Sequence, residues 1–515
     1  MKKIPARRLA WLATLIVVLT LHAGAAVAQA PAWTWADAPG GGNAYVTVSD
    51  GAGNVYIAGE LRGTAVFGAT TLSNTGLDTD TFVAKLTPGG TYAWAVQAQG
   101  GENGAYELAL SASGDVFLTG SFGSSITLGS TTLTAAGPSD AFVAKLSATG
   151  VWQWATSAGG PDADGSTRLT VGTTDDIYVT GFHGAQARFG ATTLTGAGQE
   201  DVFVAKLSIA GVWQWAISVG GTDDDAGLDV AVDAAGNTYV TGSYASTTLS
   251  FGSATLINSG PTAVYRGEIF VAKLSAAGVW QWAVSAGGAN DDDVAVRLAL
   301  DGNANVYIVG QASEGAFFGA TQLPANGQGG LDAFVAKLNS AGVWQWVRTT
   351  ASLNSDNTNS STDLVVEVNG TVSVCGVFNP TAAFGSTRLT SGGDNNVFVA
   401  QLSPTGQWVW ATTTTNASNA SAMGLAKGRG GSFSLVGYFD SPTLTFGATT
   451  VSNPTSPVSE AIFIARLGAT GVGLPEATAP TAFTLAPNPA HHTVRLTGAS
   501  APTAILLDAL GRTVR

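Results

Sequence analysis

This sequence predicts an all-β chain of repeated four-stranded units, and three observations predict it. The first is recurrence. Phe-Val-Ala-Lys-Leu starts at Phe82, Phe142, Phe203, Phe270 and Phe334, and returns as Phe-Val-Ala-Gln-Leu at Phe398 and Phe-Ile-Ala-Arg-Leu at Phe463. A Trp-x-Trp partner starts at Trp33, Trp152, Trp213, Trp280, Trp344 and Trp408, with Tyr92-Ala-Trp94 as the variant. Each segment therefore occurs seven times, at intervals of 59 to 67 residues. The second observation is composition: 67 of 515 residues are Gly and 11% are charged, which suits short strands joined by turns. The third is phase. The first Trp-x-Trp stands alone ahead of the first full unit, and the last Phe-Ile-Ala-Arg-Leu has no Trp-x-Trp behind it. Together these predict a seven-bladed β-propeller of four-stranded blades, closed by the N-terminal strand Trp33 to Ala36, with a short C-terminal β-sandwich-like module after it. Closure joins the chain ends and removes two exposed sheet edges. The alternative, an open solenoid, needs capping units that the sequence does not show.

The chain begins with a stretch, residues 1–28, that reads as a secretory signal peptide. Lys2, Lys3, Arg7 and Arg8 form its basic start, Leu9 to Leu21 its apolar core, and Ala26-Val27-Ala28 a small-x-small cleavage site. Removing it takes the formal charge from −13 to −17. So acidic a chain is a poor match for nucleic acid, whose phosphates need Lys and Arg. After signal removal no stretch is long and apolar enough to cross a membrane, and a monomer is expected. Cys375 is the one cysteine, so no internal disulfide can form, and it is expected as buried filler in a strand.

Residues 29–467 carry the propeller. In each unit a Gly-Gly loop rich in acids leads into a first strand, such as Arg168-Leu-Thr-Val171. A tight turn and a second strand, Ile177 to Gly181, follow. A longer connection holds Phe-Gly-x-Thr-Thr-Leu or a close variant, at Phe67, Leu128, Phe189, Phe251, Phe318, Phe384 and Phe446, and is expected to form a small extra hairpin. Phe-Val-Ala-Lys-Leu and Trp-x-Trp supply the third and fourth strands. Period-two alternation puts both indoles of each Trp-x-Trp on one side, wedged between neighbouring blades. The Lys of the third strand and the acid two places before its Phe recur in most units, which marks them as structural, each in a cross-strand or inter-blade pair.

The Asp-x-x-Gly-Asn-x-Tyr-Val-Thr-Gly core, Asp233 to Gly242, and the Asp-x-Phe-Val-Ala-Lys-Leu that follows such cores resemble bacterial extracellular propeller repeats of the SBBP type, over about Trp33 to Leu467. The resemblance implies a propeller and brings no catalytic residues. Residues 468–480 read as a linker. In residues 481–515, Pro487-Asn488-Pro489 and Asp508-Ala-Leu-Gly511-Arg512 resemble the C-terminal sorting domain of type IX secretion cargo. That likeness implies export through the secretion machinery, then release or attachment at the cell surface. Family domains run on for further strands, so the chain is expected either to continue past Arg515 or to sort poorly.

Chemistry is expected where the copies disagree. Near the central channel, successive first strands carry Glu107, Arg168, Asp229 and Arg297; alternating charge has no explanation in the repeat, and these residues are the ligand-binding candidates at a channel mouth, with His183 of the same unit as Arg168, a channel lined by salt bridges being the competing reading. The loops gather Asp162, Asp164, Asp223, Asp224, Asp225, Asp291, Asp292 and Asp293, which are candidates for calcium, a cation that takes six to eight oxygen ligands. Solvated loop acids are the competing reading, and no other cofactor is implied. No Ser/His/Asp arrangement or His-rich metal site is visible. The expected function is a secreted or cell-surface, non-enzymatic binding or scaffold module, with a glycan or protein partner held by the long-loop face. The alternative is an extracellular polysaccharide-active hydrolase or lyase using carboxylates at the channel mouth.

Overall fold

The computed structural model describes residues 29–468 except 75, 77, 259–266, 289–292, 325–330, 353–358, 394, 416–418 and 456–458, with four short backbone strands beyond them. The fold is all-β. In a representative unit, Gly165–Val171, Ile177–His183, Asp201–Leu207 and Trp213–Val219 lie side by side in that order, each antiparallel to the next. Corresponding first strands are Gly40–Ser49, Asn103–Leu110, Asp225–Val232, Val294–Leu300, Ser360–Val366 and Ala420–Lys427, and the units are numbered one to seven in chain order from Gly40. In the seventh unit the third strand, Ala461–Leu467, takes Trp33–Asp37 as its outer neighbour, with Trp35 opposite Arg466 and Asp37 opposite Ile464.

The third strands are buried almost throughout because the sheets pack on both of their faces. A close approach fixes one residue of every second strand. A Cβ on Gly181 would stand 2.8 Å from Cε1 of Phe203 and inside van der Waals reach of the first-strand backbone, and Gly120, Gly242, Gly376 and Gly437 meet the equivalent Phe. The long connection does form the expected hairpin, as in Gln186–Phe189 with Thr192–Thr195. It also does something the sequence does not announce: it pairs with the end of the preceding unit's fourth strand. Gln99 faces Thr127, Gly159 faces Arg188, Ala286 faces Phe318 and Thr415 faces Thr445, so backbone bonds strap one unit to the next.

The two indoles of a Trp-x-Trp have different neighbours. Trp213 stands edge-on to Phe189 of its own hairpin, with ring centroids 5.0 Å apart. Trp154 covers Gly211 in the next unit's turn, where φ is +79° and a Cβ would meet the indole at 2.9 Å. Gln153, between Trp152 and Trp154, points to solvent. The repeated lysines are structural, as expected: Lys206 Nζ sits 2.8 Å from Asp176 in the first turn and over the Tyr178 ring, and Lys145 repeats this with Asp115 and Phe117. Cys375 is buried and unpaired.

Residues 1–28 and the linker beyond Gly468 lie outside the described residues, as do Asp291 and Asp292. In the C-terminal region, Thr484–Ala486 pairs with Arg495–Thr497 and Leu506–Leu507 with Thr513–Val514. Among the described residues no helix is long and apolar enough to cross a membrane.

Candidate functional site

Each first strand carries a bulge at one place. The pairing slips between Ala105 and Glu107, Ser166 and Arg168, Gly227 and Asp229, Ala295 and Arg297, and Ser361 and Asp363; Ala44/Val46 and Ala422/Gly424 complete the set. A bulge bends its strand and re-aims the side chain that follows. Here it brings the residue after each slip to one level: Val46, Glu107, Arg168, Asp229, Arg297, Asp363 and Gly424. The last of these is Gly because the seventh unit's first strand runs against the first unit's. A Cβ there would stand 2.9 Å from the Thr47 amide nitrogen and 3.1 Å from Val46 Cα.

From this level a cavity of about 520 Å³, lined by first-strand residues of all seven units, runs along the strands of units one to five to their ends at the short turns. Its inner end carries Glu107, Asp229, Arg297 and Asp363, and its walls further out include Val48, Leu110, Val171, Val232 and Leu300. The charged groups pair across the space. Arg297 of unit five bonds to Glu107 of unit two through Nη1 and Oε2, and its Nε lies 3.2 Å from Asp363 Oδ1 in unit six. Arg168 Nε lies 3.2 Å from the same Glu107 oxygen. Backbone N–H groups supply the rest. Leu108 donates to Glu107 at 3.0 Å, Val230 and Leu298 donate to Asp229 at 2.7 and 2.6 Å, and Leu364 and Leu425 donate to Asp363 at 2.8 and 2.7 Å. Two of these bonds, Leu298 to Asp229 and Leu425 to Asp363, join one unit to the next.

Burial raises every carboxyl of this group. Asp229 is held well above the ordinary value by burial and by the negative charge of Glu107, and Asp363 is pushed up to about 6 by burial despite the Arg297 guanidinium beside it. Glu107 is raised by burial, opposed by Arg297.

The structure thus brings together Glu107, Arg168, Asp229 and Arg297 as an ion-paired group and adds Asp363, which the sequence reading passed over. It places them at the inner end of a cavity on the short-turn side, away from the long connections. His183 is elsewhere. It is buried at the end of its second strand, where Nδ1–H donates to the Gly184 carbonyl at 2.7 Å and Nε2 accepts from the Ser218 hydroxyl at 2.7 Å. Burial lowers its pKa, in keeping with this neutral form.

The loop acids divide by depth. Asp164, Asp225 and Asp293 turn inward and staple the inter-unit loop to the long connection. Asp225 accepts from Gly221 N at 2.8 Å and Ser246 Oγ at 2.8 Å, Asp293 from Gly288 N and Ser313 N, and Asp164 from Gly160 N and Gly184 N. Asp162 and Asp224 are exposed, and Asp223 is half-buried with Thr222 Oγ1 donating to it. Among the described residues no group of three His, Cys, Asp or Glu side chains is arranged to hold a metal.

These staples set a pH response. Burial lifts Asp164, Asp225 and Asp293 from 3.8 to about 6, so between those values the folded chain holds protons that the unfolded chain releases. Their stabilising contribution is complete below 3.8 and lost as pH rises through 6; Asp363 acts in the same sense. The turn acids Asp50, Asp233 and Asp301, lowered by their Asn partners against the cost of burial, lose their contribution only below 3.8. The melting temperature is therefore expected to rise by roughly 2–5 °C between pH 7.5 and pH 4.5. A flat or falling profile over that interval would contradict the burial of these carboxyls.

No protein-family model matches the chain. It is 26% identical over 271 residues to the uncharacterized WD repeat-containing protein L264 of Acanthamoeba polyphaga mimivirus, across 44% of this chain and 19% of that protein. It is 30% identical over 152 residues to the regulatory protein FlaEY of Caulobacter vibrioides, across 29% and 15%. The chain spans less than a fifth of the length of these curated relatives. Among solved structures, the periplasmic gluconolactonase PpgL of Pseudomonas aeruginosa is similar at 10% identity and a TM-score of 0.40, over 79% of this chain and 99% of that one. So low a score carries no argument about chemistry, and the propeller-like arrangement rests on the strand pairings themselves.

Proposed function

We propose that the units close into one ring, a seven-bladed β-propeller, and that it serves as an exported, non-enzymatic binding or scaffold module. Closure is supported by the way the last junction repeats the others. Lys85 and Trp94 of unit one both bond to the Ala148 carbonyl of unit two, at 3.5 and 3.2 Å. Arg466 and Trp35 stand in the same relation to unit one, Arg466 bonding to the Pro88 carbonyl and Trp35 covering Gly90. Export rests on the basic and apolar leader, and delivery by type IX secretion rests on the Pro487-Asn488-Pro489 module.

The observation that carries the non-enzymatic reading is the engagement of the buried carboxylates. Glu107 is held by two guanidiniums, and Asp229 and Asp363 each accept two backbone N–H bonds, so none is free to take a substrate proton without leaving its partners. A polysaccharide-active hydrolase or lyase is the second reading. One observation favours it: burial and the negative charge of Glu107 hold Asp229 well above the ordinary carboxyl value, the direction a general acid needs. Incubating the mature chain with a glycan panel separates the two. The binding module retains glycan without cleaving it; cleavage abolished by Asp229→Asn would establish the enzyme.

A further inference from the structure

We infer that the central cavity takes a small organic cation, an ammonium or guanidinium group on an apolar body, with its charge at the inner acidic end and its body against the strand-end walls. The inference rests on the binding-module reading and gives that module a ligand class.

The charge at the inner end does not balance. Three carboxylates line the cavity, those of Glu107, Asp229 and Asp363, against the one guanidinium of Arg297. Counting Arg168, which reaches Glu107 from outside the lining, still leaves one negative charge over. The surplus falls on Asp229. Among the described residues its oxygens accept only the N–H groups of Val230 and Leu298 and it makes no ion pair, and the charges that raise its carboxyl are those of Glu107 and Asp363. An excess carboxylate removed from water is costly unless a proton or a cation comes with it.

The geometry says which cation. Among the described residues no three acidic, His or Cys side chains converge tightly enough for a metal ion. An organic ammonium has several N–H donors and can reach oxygens that stand further apart. Carbonyls are at hand as well, because among the described residues the first strands of units two to six are edge strands with no strand partner on their inner side. The walls beyond the charged level are apolar at Val48, Leu110, Val171, Val232 and Leu300, and about 520 Å³ is the size of an ordinary small-molecule pocket. The acidic chain as a whole draws cations toward it.

Titration calorimetry of the mature chain tests this with 2-phenylethylammonium as the probe, and 2-phenylethanol and 3-phenylpropionate as neutral and anionic controls of matched size. The ammonium probe is expected to bind saturably and the controls at least about tenfold more weakly. Binding should tighten as pH rises, because burial raises the cavity carboxyls and the cation needs them ionised. Asp229→Asn should weaken it about tenfold or more. Leu300→Trp, which fills the cavity and leaves the charged level intact, should abolish it. Equal binding of a control, no binding of the ammonium, or binding that both variants leave unchanged overturns the inference. Failure of the ammonium while a glycan still binds without cleavage ends the cation assignment and leaves the binding module standing. Glycan cleavage lost in Asp229→Asn ends both.

Discussion

Replacing Glu107 with Gln lowers the stability of the chain by about 3–5 kcal/mol, a far larger effect than an exposed ion pair carries. The side chain holds two guanidiniums at once: Arg168 at 3.2 Å from the neighbouring unit, and Arg297 from three units away. The Arg297 side chain is only 4% exposed, so without Glu107 its charge keeps Asp363 alone as a counter-ion inside the protein. A buried charge stripped of its partner costs more than the pair was worth. For the same reason the double variant Glu107→Leu with Arg297→Met should recover much of the loss, since it removes the charges together. Urea unfolding of the three proteins checks this. A single variant as stable as the parent would mean that the pair does not brace the channel.

The fold was legible because the contact between units is the same contact each time. A third strand buried on both faces reads as Phe-Val-Ala-Lys-Leu or a close variant wherever it occurs, and each second-strand Gly is fixed by the first-strand carbonyl that a Cβ would strike. The inter-unit straps were not legible, because a hairpin's pairing to a distant strand end leaves no residue signature. The site was legible in part. Glu107, Arg168, Asp229 and Arg297 stood out as departures from the repeat, and the same count applied to Asp363-Leu-Val-Val366 would have added Asp363, opposite Cys375. The bulge that sets them at one level lies in backbone pairing that composition does not reveal. His183 shows the limit of reading residue type alone: its partner Ser218 is two strands away. Among the loop acids, only the chain's turn decides that Asp225 points inward while Asp224 faces water.

Removing Pro31 to Ala36 is the second change with a large expected effect. That segment places Trp33 edge-on to Phe446 with centroids 5.1 Å apart, and Trp35 over Gly90 of unit one. It also bonds to the far end of the chain, Thr34 Oγ1 to the Arg466 carbonyl at 3.3 Å and the Ala32 carbonyl to Gly468 N at 2.7 Å. Its loss exposes the edge of Ala461–Leu467 and uncovers two aromatic contacts, each worth about 3–5 kcal/mol when truncated. In a closed ring that loss is shared, because every unit leans on two neighbours. The decisive measurement is the thermal melt of the mature chain with and without residues 31–36, followed by tryptophan fluorescence. The closed ring predicts one cooperative transition displaced as a whole to lower temperature. An unchanged melting profile would contradict closure.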